Sequence, residues 1–108
     1  INSEYFFIKK NNSLKKVAIA DIVNIGVEER YCTIFTCNEK FLIQISLTKI
    51  IDLLDSSVFC RTHRNHIVNL QQIEEIQTAD NLLVMSNKQL VPISPNYKDI
   101  LLQFKILK

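Results

Sequence analysis

Apolar residues in this chain recur mainly at every second position, the period that is typical of β-strands. In the segment 41–45, for example, Phe41, Ile43 and Ile45 would share one face of an extended strand. Aromatic and β-branched residues, which favour strands, form further short runs between polar turns. The pattern predicts about eight to ten strands, placed near residues 5–8, 14–19, 22–25, 31–36, 41–45, 67–68, 73–76, 82–85 and 90–93.

Polar residues separate these strands and predict hairpin turns. Gly26 is the only glycine of the chain, so the other turns must use residues that tolerate a left-handed backbone. We expect asparagine to take that role in residues 11–13 and 86–88. Residues 27–30 predict a charged connection, and Pro92 is compatible only with an edge strand.

Two segments change to a helical period. Ser46 can cap the first helix, whose apolar face is formed by Leu47, Ile50, Ile51 and Leu54. Ser94 can cap the second helix, and Pro95 suits its first turn. The apolar stripe of this second helix contains Tyr97, Ile100, Leu101 and Phe104. The sequence therefore predicts a mostly β fold of antiparallel hairpins with two short helices.

Composition limits the class of protein. The 108 residues fit a single domain over positions 1–108, and 47% of them are hydrophobic, enough for a core. No apolar run approaches the roughly 18 residues of a membrane helix, so we expect no membrane partner. Three cysteines without a C-x-x-C spacing favour a reduced, cytoplasmic location. Because the chain starts at Ile1, we expect a C-terminal fragment of a longer protein that lacks an upstream domain.

The segment from Phe59 to Leu70 combines apolar ends with a dense polar centre. Residues 61–69 contain both histidines, two arginines and two asparagines. Such a segment cannot be buried whole, because its ionised groups would lose hydration without gaining partners. We expect a loop or strand edge that is anchored at both ends and held out of the core, as suits a contact surface.

This segment resembles a known family. The pattern Phe-x-Arg-x-His-Arg-Asn-x-Ile-Val-Asn at residues 59–69, followed by Ile73, is similar to the LytTR-type DNA-binding domain. Its flanks agree at Asp21-Ile22, Ser46-Leu47 and residues 91–94, so the resemblance covers roughly residues 5–104. It implies an elongated, mostly β domain that binds double-stranded DNA as the output domain of a bacterial response regulator. A two-component system, with a missing upstream receiver or sensor domain, follows from the same resemblance.

Three segments are candidates for DNA contact: residues 28–31, 61–65 and 94–98. Arginine can bind phosphates or guanine edges through two hydrogen bonds, and asparagine can bind adenine. Glu28 and Glu29 would repel phosphates, and Pro95 replaces a basic residue that many family members carry nearby. The candidate contact residues are Arg30, Tyr31, Arg61, His63, Arg64, Asn65, Asn96 and Lys98.

Several of these assignments stay open at the level of sequence. Arg61 is equally suited to a DNA contact and to a structural ion pair, and His63 suits either role. Asn69 is expected to bond the backbone at a turn. The net charge of +2 does not identify a partner. We expect a monomer that pairs on DNA, because the sequence shows no long self-complementary apolar strip.

Catalytic and metal chemistry find little support. His63 and His66 are expected on opposite sides of a strand, with no cysteine or carboxylate close enough in sequence to complete a metal site. No nucleotide-binding or nucleophile motif is present, and a single glycine excludes a phosphate-binding glycine loop. We therefore expect no enzyme activity, no metal and no cofactor. The alternative is a non-enzymatic β domain for protein interaction or ligand sensing, whose binding need not weaken steeply with salt.

Overall fold

The computed structural model describes residues 4–108, in which ten strands account for most of the regular structure. The strands are β1 (Tyr5–Lys10), β2 (Ser13–Ala18), β3 (Asn24–Glu28), β4 (Tyr31–Phe35), β5 (Lys40–Ile43), β6 (Phe59–His63), β7 (His66–Asn69), β8 (Ile73–Gln77), β9 (Leu82–Met85) and β10 (Leu90–Pro92). The helices are α1 (Leu47–Ile51) and the 3₁₀ segments Ile19–Asp21, Leu70–Gln72 and Pro95–Gln103. Residues 1–3 of the expected domain lie outside the described residues.

The strands form three sheets, and every strand pair in residues 4–108 is antiparallel. The hairpin β1–β2 forms one sheet, the order β5-β4-β3-β7-β6 forms the central sheet, and the order β10-β9-β8 forms the third. The fold measures 49 × 31 × 24 Å along its principal axes. The predicted mostly β, elongated and antiparallel architecture is therefore confirmed.

The two faces of the central sheet are buried against different layers. Side chains of consecutive strand residues point to opposite faces, so Ile67 and Val68 enter different cores. Ile67 packs with the β1–β2 hairpin and α1, whereas Val68 packs with β8–β10 and the third 3₁₀ segment. Both residues are fully buried. This arrangement fixes β7, and with it the strand end that carries the polar segment.

The turns confirm a left-handed asparagine in residues 11–13 and contradict it in residues 86–88. Asn11 and Asn81 have left-handed backbones, with φ of 56° and 52°. In the β9–β10 turn, however, the left-handed residue is Lys88 (φ 72°) rather than Asn87. The Asn87 side chain is committed elsewhere, because its oxygen accepts the backbone N–H of Gln89 at 3.1 Å. Asparagine thus fixes this turn through its side chain rather than its backbone.

Two strand predictions need correction. β5 ends at Ile43, and Ile45 is 45% exposed, so it does not share the buried face that Phe41 occupies. The chain turns towards α1 at this point, which removes the strand alternation. The charged connection is also shorter than expected: β3 runs to Glu28 and β4 starts at Tyr31, so only two residues form the turn. Pro92 lies in an edge strand, as predicted.

Both helices follow their predictions only in part, since α1 ends at Ile51 and Leu54, although buried, lies beyond it. Ser46 caps α1, since its hydroxyl accepts the backbone N–H of Lys49 at 3.3 Å. The second helix is 3₁₀ rather than α, and Ser94 makes no side-chain cap. The backbone carbonyl of Ser94 instead accepts the N–H of Tyr97 at 2.9 Å. Three members of the expected apolar stripe do pack: Ile100 is buried, and Leu101 and Phe104 lie against the same core. None of the helices in residues 4–108 is both long and apolar enough to cross a membrane.

Candidate nucleic-acid interface

The polar segment of residues 59–69 forms a hairpin rather than an open loop. β6 and β7 pair from Phe59 opposite Asn69 up to His63 opposite His66. Only Arg64 and Asn65 remain as the turn, which we call the hairpin tip. The prediction of a segment held out of the core is confirmed at the hairpin tip, where Arg64 is exposed, but not at Thr62 in β6, which is fully buried.

Hydrogen bonds hold the hairpin tip on several sides. The Arg61 guanidinium donates to the carbonyl of Arg64. The backbone N–H of Asn65 donates to Nδ1 of His63 at 3.0 Å. The carbonyl of Asn65 accepts the N–H of Val27, in β3, at 2.9 Å. These bonds fix the backbone from which the side chains of Arg64 and Asn65 project.

The two histidines lie on neighbouring strands, so the expectation that they occupy opposite sides of one strand is wrong. Their rings meet edge to face, with centroids 5.4 Å apart. Burial lowers the pKa of His66, and the neighbouring His63 lowers it further, while Glu28 acts in the opposite direction. Among residues 4–108, no three His, Cys, Asp or Glu side chains are grouped so that they could hold a metal ion.

Gly26 provides the space for His66. The glycine lies inside β3, directly opposite His66 in β7. A Cβ at this position would stand 3.2 Å from Nδ1 of His66, which is tighter than ordinary contact. A lone glycine within a strand pattern often marks such a close approach. The lone Gly26 was therefore the sequence signal for this contact, but the sequence alone did not identify His66 as the residue opposite it.

Arg61 is half-buried, and its partners are a carbonyl and a hydroxyl rather than the carboxylate of an ion pair. Besides the Arg64 carbonyl, its guanidinium reaches Oγ1 of Thr48, in α1, at 3.5 Å. Its charge also acts on Cys32, where burial raises the pKa of the thiol and Arg61 partly offsets this rise. These contacts are structural, although they are not the ion pair that the sequence offered as one alternative; a DNA contact by Arg61 stays a prediction.

The structure collects the three candidate segments at one end of the central sheet. The bond between Val27 and Asn65 places the β3–β4 turn, with Arg30, beside the hairpin tip. On the other side, the N–H of Ser94 donates to the carbonyl of Thr62 at 2.8 Å. This bond attaches residues 94–98 to β6. From β4 to β6 the surface spans three strand spacings, about 14 Å.

The candidate side chains differ in exposure. Tyr31 is 41% exposed. Arg61, His63 and Asn65 are half-buried. Four further members of the set are exposed: Arg30, Arg64, Asn96 and Lys98. Glu28 and Glu29 share the same end of the sheet, so the surface is not uniformly basic.

Asn69 confirms its expected role at a turn. It is 1% exposed, and its amide nitrogen donates to the carbonyl of Ile22 at 2.9 Å. Its side-chain oxygen accepts the N–H of Gln71 at 2.9 Å. The side chain therefore closes the end of β7 and starts the following 3₁₀ turn, away from the hairpin tip.

Backbone groups of Val27 and Thr62 join the three segments, and sequence reasoning missed both residues. Their contributions are a main-chain N–H and a carbonyl, which every non-proline residue possesses. No pattern of side chains can identify them. Asn24 was also missed: it is buried and bonds to Asn87 and Gln89, which ties the β9–β10 turn to the central sheet.

Known proteins show similarity over most of the chain. The family model of the LytTr DNA-binding domain matches residues 12–105. The sensory transduction protein LytT of Enterococcus faecalis is 33% identical over 98 residues, which cover 88% of this chain and 40% of that protein. The heme-containing CO-sensing transcriptional regulator RcoM 1 of Paraburkholderia xenovorans is 34% identical over 91 residues, covering 81% of this chain and 34% of the relative. The chain thus spans less than half of these curated relatives.

The fold has a solved counterpart. A LytTr DNA-binding domain from Bacillus cereus superimposes with a TM-score of 0.80, covering 91% of this chain and 93% of that one. At 24% identity, this similarity concerns the fold. The family match, in contrast, rests on the sequence itself and includes the hairpin tip with all three candidate segments. The chain belongs to the LytTr DNA-binding domain family.

Proposed function

We propose that this chain binds double-stranded DNA sequence-specifically, as the output domain of a transcriptional regulator. The observation that carries the proposal is the gathering of three polar segments at one end of the central sheet, where Arg30, Arg64 and Lys98 are exposed. Turns at one end of a rigid sheet can enter a DNA groove while the hydrophobic cores stay closed.

The hairpin tip is the centre of the proposed contact. The Arg64 guanidinium has the planar geometry that binds guanine or a phosphate through two hydrogen bonds. The neighbouring Asn65 amide can bind adenine. On either side, Arg30 with Tyr31 and Asn96 with Lys98 would contact the phosphate backbone and fix the orientation of the domain. Because Pro95 replaces the basic residue that many family members carry nearby, Asn96 and Lys98 are the candidate substitutes for DNA contact in residues 94–98.

The domain would act within a longer regulator. The relatives named above are described as a sensory transduction protein and as a CO-sensing transcriptional regulator, and this chain matches only part of each. These similarities support an upstream receiver or sensor domain, a place in a two-component system and a cytoplasmic location. No catalytic step is assigned to the domain.

Two copies are expected to bind together. A single tip with two flanks makes few contacts, so tight binding would need two domains on one face of the duplex. We expect a monomer in free solution and pairing on half-sites separated by whole helical turns, about 10–10.5 bp each. Entry into neighbouring grooves would favour a DNA bend, and a bend of 40–90° costs on the order of 1–6 kcal/mol.

Salt dependence tests the proposal directly. Fluorescence anisotropy with a site selected from random DNA should show log affinity falling linearly with log salt, by about 0.9 per phosphate contact. A binding curve that does not respond to salt would contradict DNA binding and favour the protein-interaction or ligand-sensing alternative.

A matched pair of variants locates the surface. Arg64→Ala should weaken DNA binding by about 1–3 kcal/mol if Arg64 makes a contact through two hydrogen bonds. Lys40→Ala removes one exposed positive charge at the opposite end of the central sheet. It should change affinity little. Equal losses in the two variants would show that general charge, rather than the hairpin tip, determines binding.

A further inference from the structure

The hairpin tip is a two-residue turn whose backbone is bonded by side chains of the strand that leads into it. Arg61 donates to the Arg64 carbonyl, and His63 accepts from the Asn65 N–H. On the basis of the DNA-binding function proposed above, we propose that Arg61 and His63 are positioning residues. They hold the tip in the geometry that Arg64 and Asn65 need, and they do not themselves contact DNA.

A bulge in β6 places these two side chains on opposite faces of the hairpin. The register shifts between Arg61 and His63, so that Arg61 pairs with Ile67 and His63 pairs with His66. Consecutive residues of β7 point to opposite faces, and their cross-strand partners do the same. Without the bulge, two residues separated by one position would share a face. The register shift therefore allows side chains on both faces of the hairpin to bond the backbone of the turn.

His63 bonds the turn through one specific ring nitrogen. Nδ1 accepts the Asn65 N–H and so carries no proton, which leaves the proton of the neutral ring on Nε2. The ring also packs edge to face against His66, which lies against Gly26. A ring held by its turn bond on one side and by His66 on another has little freedom to follow a base edge.

Arg61 reaches the tip from the other face and is equally committed. Its guanidinium bonds the Arg64 carbonyl and the Thr48 hydroxyl of α1. Arg64 itself is exposed, with its side chain free of these contacts. The four polar residues thus divide into two that fix the turn and two that project from it. Such division matters because a base contact needs its geometry held within about 0.5 Å.

Two amide substitutions at position 63 separate positioning from DNA contact. Asparagine places its oxygen where Nδ1 stands, so His63→Asn can still accept the Asn65 N–H. Glutamine instead places its amide near Nε2, so His63→Gln can donate outward but loses the turn bond. If His63 is a positioning residue, His63→Asn keeps wild-type affinity for the selected site, and His63→Gln loses about threefold to tenfold. The reverse order would overturn the proposal and assign a base contact to Nε2.

Arg61 has a test in the salt response. Arg61→Gln removes the charge but keeps an amide that can donate to the Arg64 carbonyl. The slope of log affinity against log salt should then keep its wild-type value. In Arg64→Ala, by contrast, this slope should fall by about 0.9, the contribution of one phosphate contact. A slope reduced by that amount in Arg61→Gln would show that Arg61 contacts a phosphate and would refute its positioning role.

A measurement without DNA makes the two proposals distinguishable. The Asn65 amide should exchange slowly with solvent in the wild type and in His63→Asn, and fast in His63→Gln and His63→Ala. Slow exchange in all four proteins would refute the turn bond, whatever the DNA affinities are. If instead the exchange pattern holds but the wild type fails to bind duplex DNA in a salt-dependent way, the proposed function fails and the support of the turn stands. Loss of folding in one variant would appear in its thermal melt, and the Arg61→Gln slope then decides the proposal.

Discussion

Replacement of Asn69 by alanine should destabilise the domain without removing its DNA-contact surface. Asn69 is 1% exposed and makes two side-chain hydrogen bonds, to the Ile22 carbonyl and from the Gln71 N–H, both at 2.9 Å. The bond from the Gln71 N–H contributes about 0.5–1.5 kcal/mol net, and leaving the Ile22 carbonyl buried without a partner costs about 1–3 kcal/mol. Since Ile22 is fully buried, its carbonyl would meet no solvent.

The expected loss is therefore about 1.5–4.5 kcal/mol in the free energy of unfolding. For a domain of this size, 1 kcal/mol corresponds to a melting-temperature change of about 4–8 °C. Asn69→Ala should then melt roughly 6–36 °C below the wild type. Circular dichroism during thermal and urea unfolding measures both quantities, and the urea slope should stay unchanged.

Asn65→Ala is the matched control. It removes the same side chain from the hairpin tip, where the bonds of Asn65 to His63 and Val27 use only its backbone. Its stability should stay within about 0.5 kcal/mol of wild type, while its affinity for the selected site falls. At a temperature where both variants are folded, Asn69→Ala should bind DNA like the wild type. The reasoning is refuted if Asn69→Ala melts normally, or if it loses affinity while fully folded.

Three further predictions concern the turn, pH and pairing. Glu29 has a left-handed backbone (φ 56°), so Glu29→Asn should raise the melting temperature by a few degrees, because asparagine tolerates this conformation better. This substitution should also raise DNA affinity, because it removes a negative charge. Glu28→Gln should raise the affinity without changing the melting temperature. A lower melting temperature for Glu29→Asn would contradict backbone strain at Glu29. Because the folded pKa of His66 lies below its ordinary value of 6.5, the unfolded chain takes up that proton first, and stability should decline as pH falls below about 6.5. Thermal melts of His66→Gln should lack this part of the decline, and identical pH profiles would exclude His66 as its source. Insertion of five base pairs between two half-sites rotates one half-site by about half a turn. Binding of two domains to this DNA, measured by anisotropy and stoichiometry, should weaken. Unchanged binding would refute the same-face arrangement.

The sequence was sufficient for the elements whose cause is local. Alternation of apolar residues placed the hairpins, and the 3.6-residue period with Ser46 placed α1. The polar centre of residues 61–65 predicted an exposed segment between buried ends, because charged groups cannot enter a core unpaired. Asn69 could be assigned to a turn because a short amide beside a strand end readily bonds the backbone. The family followed from the same motif.

Local patterns failed where a distant part of the chain decided the outcome. Residues 95–103 form a 3₁₀ rather than an α-helix, and β5 ends before Ile45; the local pattern predicted neither outcome. In the β9–β10 turn, Asn87 is drawn towards Asn24, 63 positions away, and Lys88 takes the left-handed backbone. Propensity names residues that suit a turn, but it does not say which partner will bond each one.

The candidate site shows the same division. The sequence by itself determined which side chains have the chemistry to contact DNA, since guanidinium and amide groups keep that capacity wherever they lie. Only the tertiary structure decided that Arg30, the hairpin tip and residues 94–98 lie at one end of the same sheet. It also decided that Arg61 and His63 are bonded to the tip's backbone. The physical reason is that main-chain bonds, a register shift and one missing Cβ set these positions, and such groups carry no side-chain signature along the chain.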